Sequence, residues 1–340
     1  MNRPEFLERL LAYYGRQGLK EKIFVADSSD DDHANDVRAV IKNGPKLNIE
    51  YRPFGPNVRV EERFAETLDE VDTEFVAPTA DDDFFTIPGL GRAVDFLRTH
   101  PDHSVVHGHS VIFDVNPGPV YGDRLLTSRY NQRSIQQASA SERLLDHFTH
   151  YTTNWYSTHR TANLKNNMKK IADLHLDDVE LIASGLCVAQ GKTRKLDGLY
   201  MVRQTHPTKR MHFPDAFDWI SKPEWAAQYT RLETCLSEAL VLQDRVPTDS
   251  ARATVKQAFW KYLSDMLTNG WRSRYAPDTK SVAHLKSDLA EWAPSLLHAW
   301  QQVRALLPGE ETQSLFPALL KSSSPYHRDF MPIYRAIARA

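Results

Sequence analysis

The chain has 340 residues with 42 Lys and Arg against 44 Asp and Glu, a formal net charge of −2 at neutral pH. That balance gives no whole-protein footprint for nucleic acid or an anionic membrane. No apolar run reaches bilayer length and no charged-then-apolar leader opens the chain, so a cytoplasmic protein is expected.

Length allows two ordinary domains, or one large domain with a helical appendage. Asn2-Arg3-Pro4-Glu5 reads as a helix start in which Asn2 caps and Pro4 sits in the first turn; Phe6, Leu7, Leu10, Leu11 and Tyr14 then recur at helical spacing until Gly15 and Gly18. Lys22 to Asp27 is a short apolar run ending in the polar loop Asp27-Ser28-Ser29-Asp30-Asp31-Asp32, the form of a strand's carboxyl end. A helix over Ala34 to Ile41, a strand over Leu47 to Arg52, a turn on Pro53, Gly55 and Pro56, and a helix carrying Val60, Phe64, Leu68 and Val71 follow. Helix and strand therefore alternate, which predicts a mainly parallel sheet with helices on both faces.

Next comes the most informative stretch, Phe75-Val76-Ala77-Pro78-Thr79-Ala80 running into Asp81-Asp82-Asp83. Three adjacent carboxylates at a buried strand end repel one another and lose hydration unless a cation sits among them. Mg²⁺ or Mn²⁺ against a nucleotide diphosphate is one reading; a solvated acidic turn or helix start is the other.

Pro88 to His100 is expected to be helical, and Ser104 to Asp114 a strand with His107 and His109 on one side, read as polar core or surface residues rather than metal ligands. Pro117 to Asn131 reads as a loop able to move over a substrate, Tyr151 to Thr158 as a strand and Arg160 to Leu174 as a helix. Asp177-Asp178-Val179-Glu180 opens a further helix, and acids in a first turn are at home there whether or not they do chemistry. Lys195 to Arg203 predicts a last strand closed by His206-Pro207. His206 is either a third metal ligand or an ordinary surface histidine. From about Asp215 only helical periodicity remains, giving boundaries of 1–212 and 213–340. Cys187 and Cys235 have no metal-ligand spacing and read as reduced core thiols.

Asp27, the triplet and the Asp177–Glu180 acids can converge over one crevice in a doubly wound sheet. There Asp27 would accept from a base or ribose, the central acids would hold a metal, and a separate carboxylate would be a general base.

Asn2-Arg3-Pro4, Val25-Ala26-Asp27-Ser28-Ser29, Ala80-Asp81-Asp82-Asp83-Phe84 and Asp177-Asp178-Val179-Glu180-Leu181, in this order, resemble family 2 type glycosyltransferases of GT-A fold. The likeness is to a bacterial subgroup with the Ala-Asp-Asp-Asp-Phe signature and a Gly191-Lys192 pair before the last strand, and it covers residues 1 to about 210. It implies a GT-A domain with a C-terminal helical subdomain and a UDP- or GDP-linked sugar donor. It also implies Mn²⁺ or Mg²⁺, a glycan or other hydroxyl acceptor, and transfer with inversion. By the same resemblance Asp27, with Ser29 beside it, contacts the nucleotide, and Asp81 and Asp82 face the donor. Asp83, Asp81 and His206 ligate the metal, Lys192 contacts the nucleotide, and Arg203, on the strand end that carries His206, neutralises a phosphate. Asp178 is the general base, with Glu180 as rival because Asp177 replaces the family's Glu. Two other readings use the same crevice: a nucleotidyltransferase, although no Gly-rich loop is visible, and a non-catalytic cation-binding module. In the family Asn-Arg-Pro follows an apolar strand, so an upstream start encoding that strand is expected.

Overall fold

The computed structural model describes residues 1–116, 118–122, 124–130, 132–174, 176–206, 216–275 and 319–338. Helix α1, Pro4–Gln17, begins with proline in its first turn and stops at Gly18, whose φ of 67° places it in the left-handed region that glycine enters without a Cβ clash. Asn2 does not cap this helix. Its backbone lies at φ 51°, and its carboxamide instead donates to Asp30 Oδ2 and accepts from the Asp30 N–H.

Strand β1, Ile23–Asp27, leads into α2, Asp31–Asn43, and β2, Ile49–Pro53, which pairs parallel to β1. These two strands form a sheet of their own, with Leu7, Leu11 and Val37 of α1 and α2 in the apolar cluster on it. After α3, Val60–Asp69, a second sheet is assembled in the order β3-β7-β5-β8-β4, with β6 added beside β5. Its strands are β3 (Phe75–Val76), β4 (Phe84–Phe85), β5 (His103–Asn116), β6 (Arg124–Tyr130), β7 (Thr158–Arg160) and β8 (Lys192–Thr205). Between them lie α4 (Ile87–Thr99), α5 (Ala140–Thr149), α6 (Thr161–Ala172) and α7 (Val179–Gln190).

The α/β class and the flanking helices agree with the alternation in the sequence. The sheet itself is mixed: β5–β8 and β1–β2 are parallel, whereas β3–β7, β7–β5, β4–β8 and β5–β6 are antiparallel. The short strands β3, β4 and β7 carry too few residues for their direction to be read from periodicity.

Two local expectations need correction, and one helix carries a signal in the sequence that they did not use. The 117–131 stretch is not one loop, because residues 124–130 extend the edge of β5 as β6; the Pro/Gly signals belong only to the turn before it. Tyr151 to Thr158 is irregular up to Ser157, and β7 begins at Thr158. Helix α5 has its signal in Ser139 and Glu142, which form a reciprocal capping box at its start.

Beyond residue 215 the described chain is helical, as expected: α8 (Ala216–Ile220), α9 (Trp225–Asp244), α10 (Thr248–Tyr275) and α11 (His327–Ile337). Leu236, Leu240, Val255, Phe259 and Leu263 of α9 and α10 share one apolar core with Phe148 of α5 and Leu181, Ile182 and Leu186 of α7. Phe330 and Ile333 of α11 pack with Leu10 and Tyr13 of α1 over Phe84, Phe113 and Val202. Burying such side chains contributes about 1.5–3 kcal/mol each. Cys187 and Cys235 are buried free thiols. His107 is a buried core histidine, 2% exposed, and burial pushes its imidazole down to about 3. Among the described residues no helix is long and apolar enough to cross a membrane.

Candidate active site

The carboxyl end of β8 runs alongside β4, and the turn between β3 and β4 carries the acidic triplet, so the acids stand at the end of β8 beside the start of α1. Asp82 and Asp83 are 6% and 2% exposed. Buried carboxylates of this kind persist only with partners; Asp81 and Asp82 share Arg3, and Asp83 has its own.

Asp81 pairs with Arg3 through Nη2 and lies 3.8 Å from the Met1 amino nitrogen; burial nonetheless raises its pKa. Asp82 Oδ2 accepts from Arg3 Nη1 at 3.0 Å and lies 2.8 Å from His206 Nε2. Burial would raise the Asp82 carboxyl, but the His206 contact and the Arg3 charge prevail and hold it at about 2. The His206 ring stacks on Phe6 of α1 with centroids 4.7 Å apart. Asp83 turns the other way, accepting from the Gln204 backbone N–H at 2.9 Å and from Arg203 Nε at 3.2 Å. Burial pushes it up to about 7 against the pull of Arg203.

Asp27, at the end of β1, is 6% exposed and closes a second polar group. Its Oδ1 accepts from the Ser29 N–H and hydroxyl at 3.0 and 2.6 Å, and its Oδ2 accepts from Tyr51 OH at 3.0 Å. The Asn2 N–H donates to Ser29 Oγ at 2.7 Å, which ties this pocket to the start of α1 and so to the triplet.

Arg203 links the triplet to the second acidic stretch. Its guanidinium lies 4.0 Å from the Tyr156 ring centroid and 4.9 Å from that of Tyr130, a stacked setting that suits a planar cation. Burial would lower its pKa, but Asp83 and the two tyrosines, with Glu180 behind them, raise it. Glu180 in turn is raised by burial and by Asp178 and lowered by Arg203. Asp178 is the N-cap of α7: Oδ1 accepts from the Leu181 N–H at 3.0 Å and Oδ2 from Tyr262 OH of α10 at 3.2 Å. Burial raises its pKa despite both contacts, which makes it a stronger proton acceptor than a free carboxylate.

The structure thus links Asp27, Ser29, Asp81, Asp82, Asp83, Arg203 and His206 in one polar network through Asn2 and Arg3, with Glu180 in electrostatic reach of Arg203 and Asp178 beside Glu180. Lys192 is not among them. It starts β8 whereas Arg203 ends it, a separation of order 35 Å at ~3.3 Å per residue, and it pairs with Asp102 at 2.8 Å. The expected trio Asp81, Asp83 and His206 does not converge on one point either. Consecutive side chains of a tight turn diverge, so Asp82 meets His206 while its neighbours face Arg3 and Arg203. Among the described residues no group of three or more His, Cys, Asp or Glu is arranged to hold a metal ion. Two donors of the right chemistry do face each other, Asp82 Oδ2 and His206 Nε2, and a hard cation bound to a diphosphate typically needs only one or two protein ligands.

Sequence reasoning did not single out Arg3, Tyr156 or Tyr262 for the site. Arg3 lies in the Asn2-Arg3-Pro4 stretch, but a lone arginine at a helix start carries no signal of its partner. Arg9 is likewise buried at 1% exposure, donating to the Val120 carbonyl and, at 2.6 Å, to Gln204 Oε1, and so braces the strand end that holds Asp83.

No protein-family model matches this chain, and no curated protein matches it. Among solved structures, S. aureus TarS 1–349 superposes with a TM-score of 0.49 at 14% identity, covering 90% of this chain and 80% of that one. A second structure of S. aureus TarS gives 0.48 at 15%, covering 86% of this chain and 48% of that one, so this chain spans about half its length.

Proposed function

We propose that this protein is a glycosyltransferase that moves a sugar from a nucleotide-sugar donor, UDP- or GDP-linked, to a glycan or other hydroxyl acceptor with inversion. The observation that carries the reading is Arg203, which hydrogen-bonds Asp83 and shares its charge with Glu180, so that two acidic stretches far apart in sequence serve one crevice. A site of this kind suits a substrate with a diphosphate at one end and a proton to lose at the other. The resemblance of the triplet, of Asp27 and of Asp178 to family 2 glycosyltransferases supports the same assignment.

In this reading Asp27 and Ser29 hold the nucleoside. Arg3 and Arg203 supply positive charge where the nucleoside diphosphate departs, which is where preorganised cations lower a barrier most. Asp82 and His206 would hold Mn²⁺ or Mg²⁺, which when bound neutralises charge on the diphosphate. Asp178 takes the proton of the acceptor hydroxyl as its oxygen bonds to the anomeric carbon. Its raised pKa and fixed orientation, set by Leu181 N–H and Tyr262 OH, suit that task. Glu180 is the rival base, nearer in electrostatic terms to Arg203.

The test is release of nucleoside diphosphate from a panel of nucleotide sugars, with Mn²⁺ or Mg²⁺ present. Asp178→Asn is expected to keep donor binding and lose at least 100-fold in turnover, while Glu180→Gln loses less. Pyrophosphate release from a nucleoside triphosphate and sugar phosphate would instead make it a nucleotidyltransferase. Binding of every nucleotide sugar without release of any product would make it a binding module.

A further inference from the structure

We propose that Arg3 is a built-in counter-ion that competes with a divalent cation for Asp82 and His206, so that the cation enters only as the guanidinium leaves. The proposal rests on the donor-diphosphate reading of this crevice for its consequence, but the observations that carry it are local. Arg3 Nη1 stands 3.0 Å from Asp82 Oδ2 and 3.1 Å from His206 Nε2, and those two atoms are 2.8 Å apart.

A neutral imidazole nitrogen has either a proton or a single lone pair. Nε2 therefore cannot donate to Asp82 and accept from Arg3 at once. Where Nε2 donates to Asp82, an incoming ion must displace that proton as well as Arg3; where the proton is on Nδ1, Nε2 and the Asp82 oxygen are two acceptors turned toward Arg3 Nη1. Two ligands at right angles on an ion with bonds of about 2.1 Å lie about 3 Å apart, close to the observed separation. An ion on Asp82 Oδ2 and His206 Nε2 would take the place where Arg3 Nη1 now stands, so the two occupants exclude each other.

Competition rather than permanent replacement follows from how Arg3 is held. Its side chain keeps 17% exposure, and it stands at the N-cap of α1, reaching Asp81, Asp82 and His206 through its two terminal nitrogens. Arg203, similarly exposed at 19%, is held more closely, 4.0 and 4.9 Å from two tyrosine ring centroids and bonded to Asp83, whereas Arg3 lies 5.2 Å from the Phe6 ring centroid. A guanidinium released from Asp81 and Asp82 remains within reach of an incoming diphosphate, for which its planar fork is well matched. Nucleotide and cation would then bind together, each displacing half of the Arg3 contacts, and the cation alone would bind weakly.

Titration with Mn²⁺ alone, without nucleotide, followed by electron paramagnetic resonance of the free ion, tests this on the full chain. Arg3→Gln is expected to bind Mn²⁺ at least tenfold more tightly than wild type, and adding His206→Ala is expected to abolish that gain. Arg3→Lys, which keeps the charge but not the fork, is expected to fall between them and guards against a folding defect in the glutamine variant. Equal or weaker Mn²⁺ binding by both Arg3 variants, or a gain that survives His206→Ala, would overturn the proposal. Either result leaves the diphosphate-release assay standing, because no donor or acceptor is present in this titration.

Discussion

His147 offers a clean physical test of how the described core handles charge. It lies in the last turn of α5 at 2% exposure, with its ring 5.3 Å from that of Tyr151, and its Nε2 has no hydrogen-bond partner. Burial pushes the imidazole down to about 3, with Asp146 pulling upward and Arg133 pushing down. The unfolded chain takes up this proton near pH 6.5, whereas the folded one does so only near 3. Stability from the neutral ring is therefore whole above about pH 6.5 and is lost as pH falls toward 3, at about 1.4 kcal/mol per pH unit. Between pH 8 and pH 5 that amounts to about 2 kcal/mol. Replacing His147 with Leu removes the titration, leaving any packing change as a constant offset measured at pH 8. Urea unfolding of both proteins at pH 8, 7, 6 and 5 is expected to show the stability difference moving in favour of His147→Leu by about 2 kcal/mol across the range. His107 and His159 are also held neutral by burial, and they act equally in both proteins. A difference that stays constant with pH would refute the claim that His147 folds uncharged.

Three further outcomes follow from the geometry. Lys192→Ala is expected to leave donor binding unchanged and stability within about 1 kcal/mol, since its partner Asp102 is half-exposed at the far end of β8; a marked loss of donor affinity in titration calorimetry would return Lys192 to the site. Gly89→Ala brings a Cβ to 2.9 Å from the Leu199 carbonyl oxygen and from Tyr200 Cα, both backbone atoms of β8, so a loss of about 1–3 kcal/mol is expected in the urea midpoint, and an unchanged midpoint would contradict the packing of α4 on that strand. Arg203→Met strips Asp83 of its charged partner and is expected to cost about 3–5 kcal/mol, with much of this recovered when Asp83→Asn is added; additive effects in the double-mutant cycle would show that the pair is not coupled.

Much of the chain's organisation was readable without coordinates. The helices α1 to α4, α6, α7 and α9 carry their own periodicity and boundary residues, and they form close to where these signals lie. Strand direction was less legible, because β3, β4 and β7 are two or three residues long and acquire an orientation only by pairing with β5 and β8. β6 was hidden behind the Pro/Gly turn that precedes it, and α5 went unread although its capping box was in view.

The site divides along the same line. The sequence by itself determined which residues carry the charge: Asp27, the Asp81–Asp83 triplet, and the acids that open α7. Local rules place each of these at a strand end, a turn or a helix start. Only the tertiary structure decided what answers each charge, since Arg3 reaches the triplet from one end of the chain while Arg203 and His206 reach it from the end of β8. The reason is that burial makes an unpaired carboxylate costly wherever it sits, but its counter-charge can come from any part of the chain that the fold brings near. Sequence distance is silent about that choice, which is why the resemblance sets Lys192 on the nucleotide although it lies a strand's length from the triplet in the molecule.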